Sequence, residues 1–255
     1  MGRIVCFANQ KGGVGKTTTC VNLCAAIREK NRNVLLVDAD PQGNATTGMG
    51  VDKRGGQSLY DVMIRGVPAE EAIVHGPYGD VLPANLNLSG ATVELVDAPD
   101  RETVLRKALE PVRDKYEYIF IDCPPSLGLL TLNALVAADT VLIPMQCEYY
   151  AMEGLTDLLT SMKLTKKRFN PDLKIEGILL TMYDRRLSFS SQVAREIGKY
   201  FSGAVFSTVI PRNVRIAEAP SHGKPVGIYS RMSKGATAYD CLAIEFFRHN
   251  HIIDV

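Results

Sequence analysis

The residue types best suited to chemistry lie in one short segment near the start of the chain. Residues 9–19 read Asn-Gln-Lys-Gly-Gly-Val-Gly-Lys-Thr-Thr-Thr, a glycine-rich loop that ends in a lysine and three threonines. The glycines let the backbone turn tightly and aim its N–H groups at an anion. Lys16 can reach the β and γ phosphates of a nucleotide, and Thr17 offers its hydroxyl to Mg²⁺. We therefore predict that this loop binds the phosphates of a nucleotide.

A strand and a helix must hold this loop in place. Residues 4–8 form an apolar run short enough for a buried strand, and apolar residues recur over 21–27 at the spacing of one buried helix face. Strand, glycine loop and helix are the context that a phosphate-binding loop requires. The helix N-terminus adds roughly half a positive charge beside the phosphates. The alternative is a plain glycine-rich turn before a helix, which the spacing and the context disfavour.

Carboxylates end two further strands that the pattern predicts. The apolar run at residues 34–37 leads into Asp38 and Asp40, and the run at 118–121 leads into Asp122. Acids at strand ends that face a phosphate loop suit Mg²⁺ and water chemistry. An apolar strand closed by aspartate is the Walker B arrangement, in which the carboxylate holds Mg²⁺ through water near the γ phosphate. The alternatives are an ordinary turn after the first strand, and a second strand that simply ends in aspartate.

The loop departs from the usual Walker A pattern in a recognisable way. The pattern G-x-x-x-x-G-K-[ST] would place a glycine where this chain has Gln10, and an additional lysine follows at Lys11. K-G-G-x-G-K-T is the deviant Walker A motif, and with it the chain resembles, over nearly its whole length, the ParA, Soj and MinD family of partition and placement ATPases. In that family the early lysine crosses a dimer interface and touches the other subunit's nucleotide; a solvated loop lysine is the alternative. The resemblance implies nucleotide contacts by Lys11, Gly12, Gly13, Val14, Gly15, Lys16, Thr17 and Thr18.

Segments further along sharpen the resemblance towards chromosomal Soj and ParA. The sequence V-D-x-D-P-Q-G-N at residues 37–44 resembles the family's switch I, in which the second aspartate orients or activates the attacking water. The resemblance therefore implies that Asp40 is catalytic together with Lys11 and Lys16, and that Asp38 supports the metal shell. The metal-binding residues that it implies are Thr17, Asp38 and Asp122.

Two more segments resemble a switch segment and a dimer-interface segment of the family. Residues 124–126, Pro-Pro-Ser, resemble switch II, which follows the Walker B strand. Residues 146–154 closely resemble a Soj and ParA segment that family members use at the dimer face. A plain loop between a strand and a helix is the alternative for this second segment.

The resemblance also implies which residues contact the adenine base of the nucleotide and which residues bind DNA. In the family the Pro-Arg-Asn segment packs on adenine, so Pro211 and Asn213 are expected there, with Met182 as a weaker candidate. Arg186 and Arg215 match the arginines that carry DNA binding in Soj. The alternative for both arginines is a solvated surface position or a salt bridge within the chain.

The whole sequence predicts an α/β fold. Strand patterns alternate with helix patterns over 255 residues, which indicates a mostly parallel twisted sheet with helices on both faces. We expect residues 1–255 to form a single P-loop NTPase domain. Residues 205–210 are predicted to be its last strand, and Asp100 is predicted to cap a helix that includes residues 104–109.

Charge and cysteine content narrow the possible functions. The net charge is only +1, so any DNA binding must come from a local patch. The basic residues at 163–168 could contribute to one, although cations also suit the end of a helix. Six scattered cysteines form no C-x-x-C pair and indicate a reducing cytoplasm. No apolar run approaches ~18 residues, so we expect no membrane partner.

The resemblance implies a partition ATPase that uses ATP and Mg²⁺. It implies an ATP-dependent homodimer that binds double-stranded DNA without sequence preference, on the nucleoid in the cytoplasm, and partitions chromosomes or plasmids. A ParB/Spo0J-type centromere-binding protein would stimulate hydrolysis.

Two other functions are weighed against partition. A MinD-like membrane regulator needs an amphipathic C-terminal helix that inserts, and residues 234–249 are amphipathic, although their aromatic face suits a core equally well. A reductase like the nitrogenase iron protein needs cysteines that bridge a cluster, and Cys123 and Cys147 do not match that pattern.

Overall fold

One sheet organises the molecule. The computed structural model describes residues 1–148, 151–184, 186–201 and 203–250. Within them seven strands form a sheet in the order β3-β4-β2-β5-β1-β6-β7, parallel except for the antiparallel β3–β4 hairpin. The strands are β1 Arg3–Phe7, β2 Val34–Asp38, β3 Val74–Gly76, β4 Gly79–Leu82, β5 Tyr118–Asp122, β6 Thr140–Gln146 and β7 Lys174–Thr181. This confirms the predicted α/β fold with a mostly parallel sheet.

Helices connect the strands and cover both faces. The α-helices are α1 Lys16–Arg28, α2 Asn44–Gly48, α3 Leu59–Arg65, α4 Ala69–Ala72, α5 Leu88–Glu94, α6 Val104–Leu109, α7 Leu129–Ala137, α8 Ala151–Arg168, α9 Ser188–Tyr200, α10 Val214–Glu218, α11 Val226–Tyr229 and α12 Lys234–His249. Two 3₁₀ helices span Glu110–Lys115 and Ala219–His222. No helix that the described residues form is both long and apolar enough to cross a bilayer.

The core has two halves because successive side chains of a strand point to opposite faces. In β1, Val5 and Phe7 belong to the half of the core that includes residues of α1 and α12, whereas Ile4 and Cys6 belong to the half that includes residues of α3 to α9. All five residues of β2 and of β5 are buried. Strands buried on both faces read as unbroken apolar runs, and this is why periodicity located them.

The segment predicted to be the last strand is not one. Its two ends bond to β7: Phe206 N donates to the carbonyl of Ile178 at 3.0 Å, and Ile210 N donates to that of Leu180 at 2.9 Å. Between them, the N–H groups of Ser207 and Thr208 donate instead to the carboxylate of Glu245 in α12. The segment is therefore extended but has no continuous strand ladder.

The predicted cap at Asp100 is also wrong. Asp100 has a positive φ of 57°, and its carbonyl accepts a hydrogen bond from the N–H of Thr103 at 2.8 Å. Helix α6 begins only at Val104, so Thr103 occupies the cap position. The carboxylate of Asp100 instead pairs with Lys107 at 3.0 Å.

Candidate active site

The glycine loop joins β1 to α1 at the carboxyl edge of the sheet. Gly13 and Gly15 have φ values of 74° and 91°, in the left-handed region that glycine adopts without strain. Gly15 stands at the cap position of α1, and the first turn of this helix carries no acidic side chain. The positive end of α1 is thus not neutralised by the protein and is available to an anion.

Lys16 is the cation at the centre of the site. Its side chain is buried, and its Nζ donates to the carbonyl of Lys11 across the loop at 3.2 Å. Burial lowers the pKa of Lys16, while the nearby Asp122, Cys123 and Asp40 oppose that fall. The structure therefore brings Lys16 together with two of the three predicted carboxylates.

Asp122 has carboxylate oxygens that are free to bind a cation. It is fully buried at the end of β5, and neither carboxylate oxygen has a hydrogen-bond partner among the described residues. Burial, followed by the charge of Asp38, raises its pKa well above the usual range, and the Thr17 side chain and Lys16 oppose this rise. Buried polar atoms normally have partners, so this exception points to a missing ligand. Asp122 with Thr17 fits Mg²⁺.

Asp38 is directly opposite Asp122 in the β2–β5 register, but its carboxylate has different hydrogen-bond partners. Its Oδ2 accepts hydrogen bonds from Thr46 N at 2.8 Å and from Thr46 Oγ1 at 2.7 Å, and its Oδ1 accepts one from Asp40 N at 3.2 Å. Burial raises the pKa of Asp38 to about 6, against the effect of the Thr46 bonds. Both oxygens of Asp38 already accept hydrogen bonds, and two of these bonds hold the start of α2. Asp38 therefore has less free capacity for a metal than Asp122 has.

Asp40 is positioned by a tight turn after β2. Its Oδ1 accepts a hydrogen bond from Gln42 N at 2.9 Å, and its carbonyl accepts one from Gly43 N at 2.9 Å. Gly43 has a φ of 64°, and a Cβ there would lie 2.8 Å from the carbonyl oxygen of Ala84, so only glycine fits. The turn holds Asp40, 7% exposed, on the Lys16 side of the edge.

Lys11 lies on the outer side of the loop. Its ammonium pairs with Glu148, just after β6, and its side chain is 37% exposed. The side chain of Asn9 joins the same two segments, because its Oδ1 accepts from Lys11 N at 3.0 Å and its Nδ2 donates to the carbonyl of Pro144 at 2.8 Å. Lys11 and Lys16 thus occupy different surroundings. The rest of the predicted dimer segment includes residues 149–150, which lie outside the described residues.

Met182 is strained at the end of β7. It has a positive φ of 48°, uncommon for a residue with a side chain, and its Sδ accepts a hydrogen bond from Gln146 Nε2 at 3.0 Å. Gln146 Nε2 also donates to the carbonyl of Gly13 at 2.8 Å, and Thr181 Oγ1 donates to that of Val14 at 2.7 Å. The ends of β6 and β7 are therefore fastened to the phosphate loop.

The remaining predicted base contacts are at the same edge. Pro211 bridges to Tyr183 directly after β7. Asn213 caps α10, since its Oδ1 accepts a hydrogen bond from Arg215 N at 3.0 Å. Thr18 is on α1, where its carbonyl accepts from Asn22 Nδ2 at 2.7 Å.

The sequence patterns gave no individual role to four polar residues that shape the site, although the first three lie in segments that were singled out: Asn9, Gln146, Glu148 and Thr181. Gln146 and Thr181 end parallel strands, so the rule that located the aspartates would have found them had it been applied to uncharged residues. Asn9 and Glu148 act through contacts about 135 residues away along the chain, for which a local pattern carries no signal.

The two arginines predicted to bind DNA are at the surface, each paired with a nearby acid. Arg186 contacts Asp184 at 2.8 Å, and Arg215 contacts Glu218 at 2.7 Å. The alternative of a salt bridge within the chain is thus realised for both. Such exposed pairs contribute little free energy, and the arginines can exchange their partners.

The chain is similar to known proteins in both sequence and structure. A family model described as an AAA domain matches residues 2–175. The sporulation initiation inhibitor protein Soj of Bacillus subtilis is 53% identical over 248 residues, 96% of this chain and 98% of Soj. The chromosome partitioning protein ParA of Myxococcus xanthus is 51% identical over 98% of this chain and 89% of its own length. A cobyrinic acid a,c-diamide synthase structure from Mycobacterium smegmatis, with bound ATP analog and magnesium, has a TM-score of 0.88 and 39% identity, covering 98% of this chain and 95% of that one.

Proposed function

The chain belongs to the Soj/ParA family of partitioning ATPases, and from this we propose that it is an ATP hydrolase that moves DNA by an ATP-dependent cycle of dimer formation and release. The observation that carries the proposal is Asp122, a fully buried carboxylate whose two oxygens have no partner in the described chain, beside Lys16 and Thr17. A partition ATPase needs such a group to hold Mg²⁺ against the triphosphate.

Each residue of the site has a role in this proposal. Mg²⁺, when bound, neutralises charge on the β and γ phosphates. Asp122 and Thr17 would hold it, and water and phosphate oxygens would supply the other ligands, because no cluster of three His, Cys, Asp or Glu side chains suited to a metal occurs among the described residues. Lys16 neutralises the phosphates, and the turn at Asp40 presents a carboxylate to the attacking water. Asp38 holds α2 through Thr46 and so supports the metal shell indirectly.

Lys11 supplies the dimer contact. In the dimer this lysine leaves Glu148 and reaches the nucleotide of the other subunit, exchanging one charged partner for another. Its 37% exposure allows the exchange without disturbing the core. Residues 146–154 form the surrounding face, while Met182, Pro211 and Asn213 contact the adenine.

The ATP-bound dimer binds double-stranded DNA without sequence preference. Phosphate contacts carry no base information, and their number sets the salt dependence of binding. Since the net charge is +1, the contacts must be concentrated on a local surface, which includes Arg186 and Arg215. A ParB-type centromere-binding partner stimulates hydrolysis and releases the dimer.

The packing of α12 argues against a membrane as the surface that is bound. The apolar face of α12 is core: none of its large residues is more than 2% exposed, and they pack with α1 and the sheet. These residues are Tyr239, Leu242, Phe246 and Phe247. A helix whose apolar face is already buried cannot insert it into a bilayer without unfolding. The short tail at 251–255 lies outside the described residues.

Stimulated hydrolysis tests the proposal. The ATPase rate is measured alone, with duplex DNA, with the ParB-type protein from the same genome, and with both. We expect slow hydrolysis alone and a clear rise only when DNA and partner are both present. A rate that neither addition changes, or binding of the ATP form to anionic vesicles instead of DNA, would contradict the partition function.

A further inference from the structure

The side-chain amide of Gln146 joins two parts of the molecule that are predicted to contact the nucleotide. Gln146 ends β6 and is half-buried. Its Nε2 donates one hydrogen bond to the carbonyl of Gly13 at 2.8 Å and another to Sδ of Met182 at 3.0 Å. Gly13 belongs to the glycine loop, and Met182 is one of the predicted base contacts. A single amide group therefore fixes a loop peptide and a base contact relative to each other.

Two successive carbonyls of the glycine loop are held by side chains from the ends of β6 and β7. Gln146 holds the carbonyl of Gly13, and Thr181 Oγ1 donates to the carbonyl of Val14 at 2.7 Å. In a trans peptide the C=O and the N–H point in opposite directions, and the described chain has no cis peptide bond. The two bonds therefore turn the N–H groups of Val14 and Gly15 away from the strand ends. Such N–H groups are the donors that a phosphate loop offers to an anion.

Met182 is held in place by its surroundings rather than by its own preferences. Its φ of 48° is a conformation that a residue with a side chain keeps only where neighbouring contacts impose it. A methionine side chain has three rotatable bonds and adapts readily to its environment. Because Gln146 bonds to the sulfur itself, it restricts the end of this side chain, which is the part that can contact a base.

We propose that Gln146 is a positioning residue that couples recognition of the base to binding of the phosphates. The inference rests on the proposed function, in which Met182 contacts the adenine, and it gives a role to a residue that had none. A base that orders Met182 also favours, through Gln146, the loop conformation that binds phosphate. The coupling is reciprocal, so bound phosphates favour the position of Met182 that contacts the base.

Calorimetry with two ligands tests this coupling. ADP and pyrophosphate are each titrated with Mg²⁺ into the full chain, because both carry two phosphates and only ADP carries the base. The ratio of their dissociation constants measures the contribution of the adenosine. Gln146→Met keeps the length of the side chain and removes both N–H donors. It should weaken pyrophosphate binding by about 3- to 10-fold, the equivalent of one hydrogen bond, and should also lower the ratio by a similar factor.

Thr181→Val is the matched control, because it frees the other loop carbonyl and leaves the bond to Met182 intact. It should weaken both ligands equally and keep the wild-type ratio. Met182→Leu should lower the ratio and leave pyrophosphate binding unchanged. The double variant Gln146→Met/Met182→Leu should have nearly the ratio of Gln146→Met alone, since two residues that act through one contact are not additive. Thermal melting by circular dichroism checks that each variant is folded.

Three results would overturn the proposal. A Gln146→Met variant that loses affinity for both ligands equally, as Thr181→Val does, would make Gln146 a support of the loop alone. Unchanged affinities in Gln146→Met, or fully additive losses in the double variant, would show that base and phosphate contacts are independent. Wild-type protein that binds ADP no more tightly than pyrophosphate would refute the proposed base contacts as well, which distinguishes that failure from an error about Gln146.

Discussion

At the scale of the residue, two aspartates at the same register position differ in their partners. Asp38 and Asp122 face each other on neighbouring strands, and both are fully buried. Thr46 donates two hydrogen bonds to one oxygen of Asp38 and Asp40 N donates one to the other, while the oxygens of Asp122 have no hydrogen-bond partner in the described chain. Asp38 therefore holds the start of α2, whereas the oxygens of Asp122 are available to a cation, and the metal role of both residues stays a prediction.

Asp122→Asn separates metal binding from folding. Neither oxygen of Asp122 has a hydrogen-bond partner with good geometry among the described residues, and the Thr17 side chain only partly favours its charged form, so the change removes mainly a buried charge. We expect the free energy of unfolding without nucleotide to be unchanged or higher, and Mg²⁺-dependent ATP turnover to fall by roughly 100-fold or more, as removal of a metal ligand worth several kcal/mol would produce. Urea unfolding and a phosphate-release assay measure the two quantities. A stable variant with normal turnover would exclude Asp122 from the metal site.

Thr46→Val tests the structural role of Asp38. The change keeps the size of the side chain but removes the hydroxyl that donates to Asp38 and accepts from the N–H of Ala84 at 3.0 Å. Buried groups left without partners should lower the free energy of unfolding by about 1–3 kcal/mol. Urea titration measures this, and Thr47→Val, next along α2, is the control because the hydroxyl of Thr47 bonds only a nearby carbonyl among the described residues. Equal stability of the two variants would show that the Asp38–Thr46 pair contributes little.

At the scale of the element, short sequence patterns predict the strands, loops and strand ends whose structure depends on neighbouring residues alone. The buried strands β1, β2 and β5, the loop glycines and the acids at the strand ends are all visible in short windows of sequence. The extended segment at 205–210 reads as a strand for the same reason, but Glu245, 37 and 38 residues further on, takes two of its N–H groups. Likewise Glu148 pairs with Lys11 across 137 residues, a partnership that only the folded chain reveals.

Glu245→Ala should loosen that extended segment in a pH-dependent way. Burial favours the neutral carboxyl, but hydrogen bonds from Thr208 and Ser207 outweigh it and hold the pKa of Glu245 below its usual range. A lowered pKa stabilises the fold above the unfolded value of about 4.3, and this contribution is lost as the pH falls through the folded value. At pH 7 the variant should lose about 1–3 kcal/mol of unfolding free energy.

The pH dependence is the informative part of this experiment. The difference between wild type and Glu245→Ala in urea unfolding should stay nearly constant from pH 7 to about 5 and shrink as the pH falls below the unfolded value of about 4.3. A difference that does not shrink below that pH would indicate lost packing rather than lost charge-assisted hydrogen bonds. Glu29→Ala, an exposed acid at the end of α1, serves as the control.

At the scale of the whole molecule, one sheet carries the glycine loop, both predicted switch segments and the predicted base contacts at its carboxyl edge. The two halves of the core share the same strands, and we propose that residues 1–255 therefore act as one domain. In the proposed cycle the function requires a second molecule, because Lys11 lies on the outside of the loop and pairs with Glu148 rather than with the carboxylates around Lys16.

Lys11→Ala should yield a monomer that still binds ATP. The change removes the proposed contact with the other subunit's nucleotide and leaves Lys16 and Asp122 in place. Light scattering with a slowly hydrolysed ATP analogue should give a dimer for wild type and a monomer for the variant, while calorimetry finds nucleotide bound in both. A dimeric variant would count against the contact across subunits.

ATP should convert this protein into a DNA-binding dimer, and a single titration can decide whether it does. The anisotropy of a labelled duplex is followed as wild-type protein is added in ATP and Mg²⁺ and, in parallel, in ADP and Mg²⁺. We expect binding only with ATP, equal for unrelated duplex sequences and weaker as salt rises. Equal affinity in ADP and ATP, or no binding with ATP even at low salt, would contradict the proposed cycle.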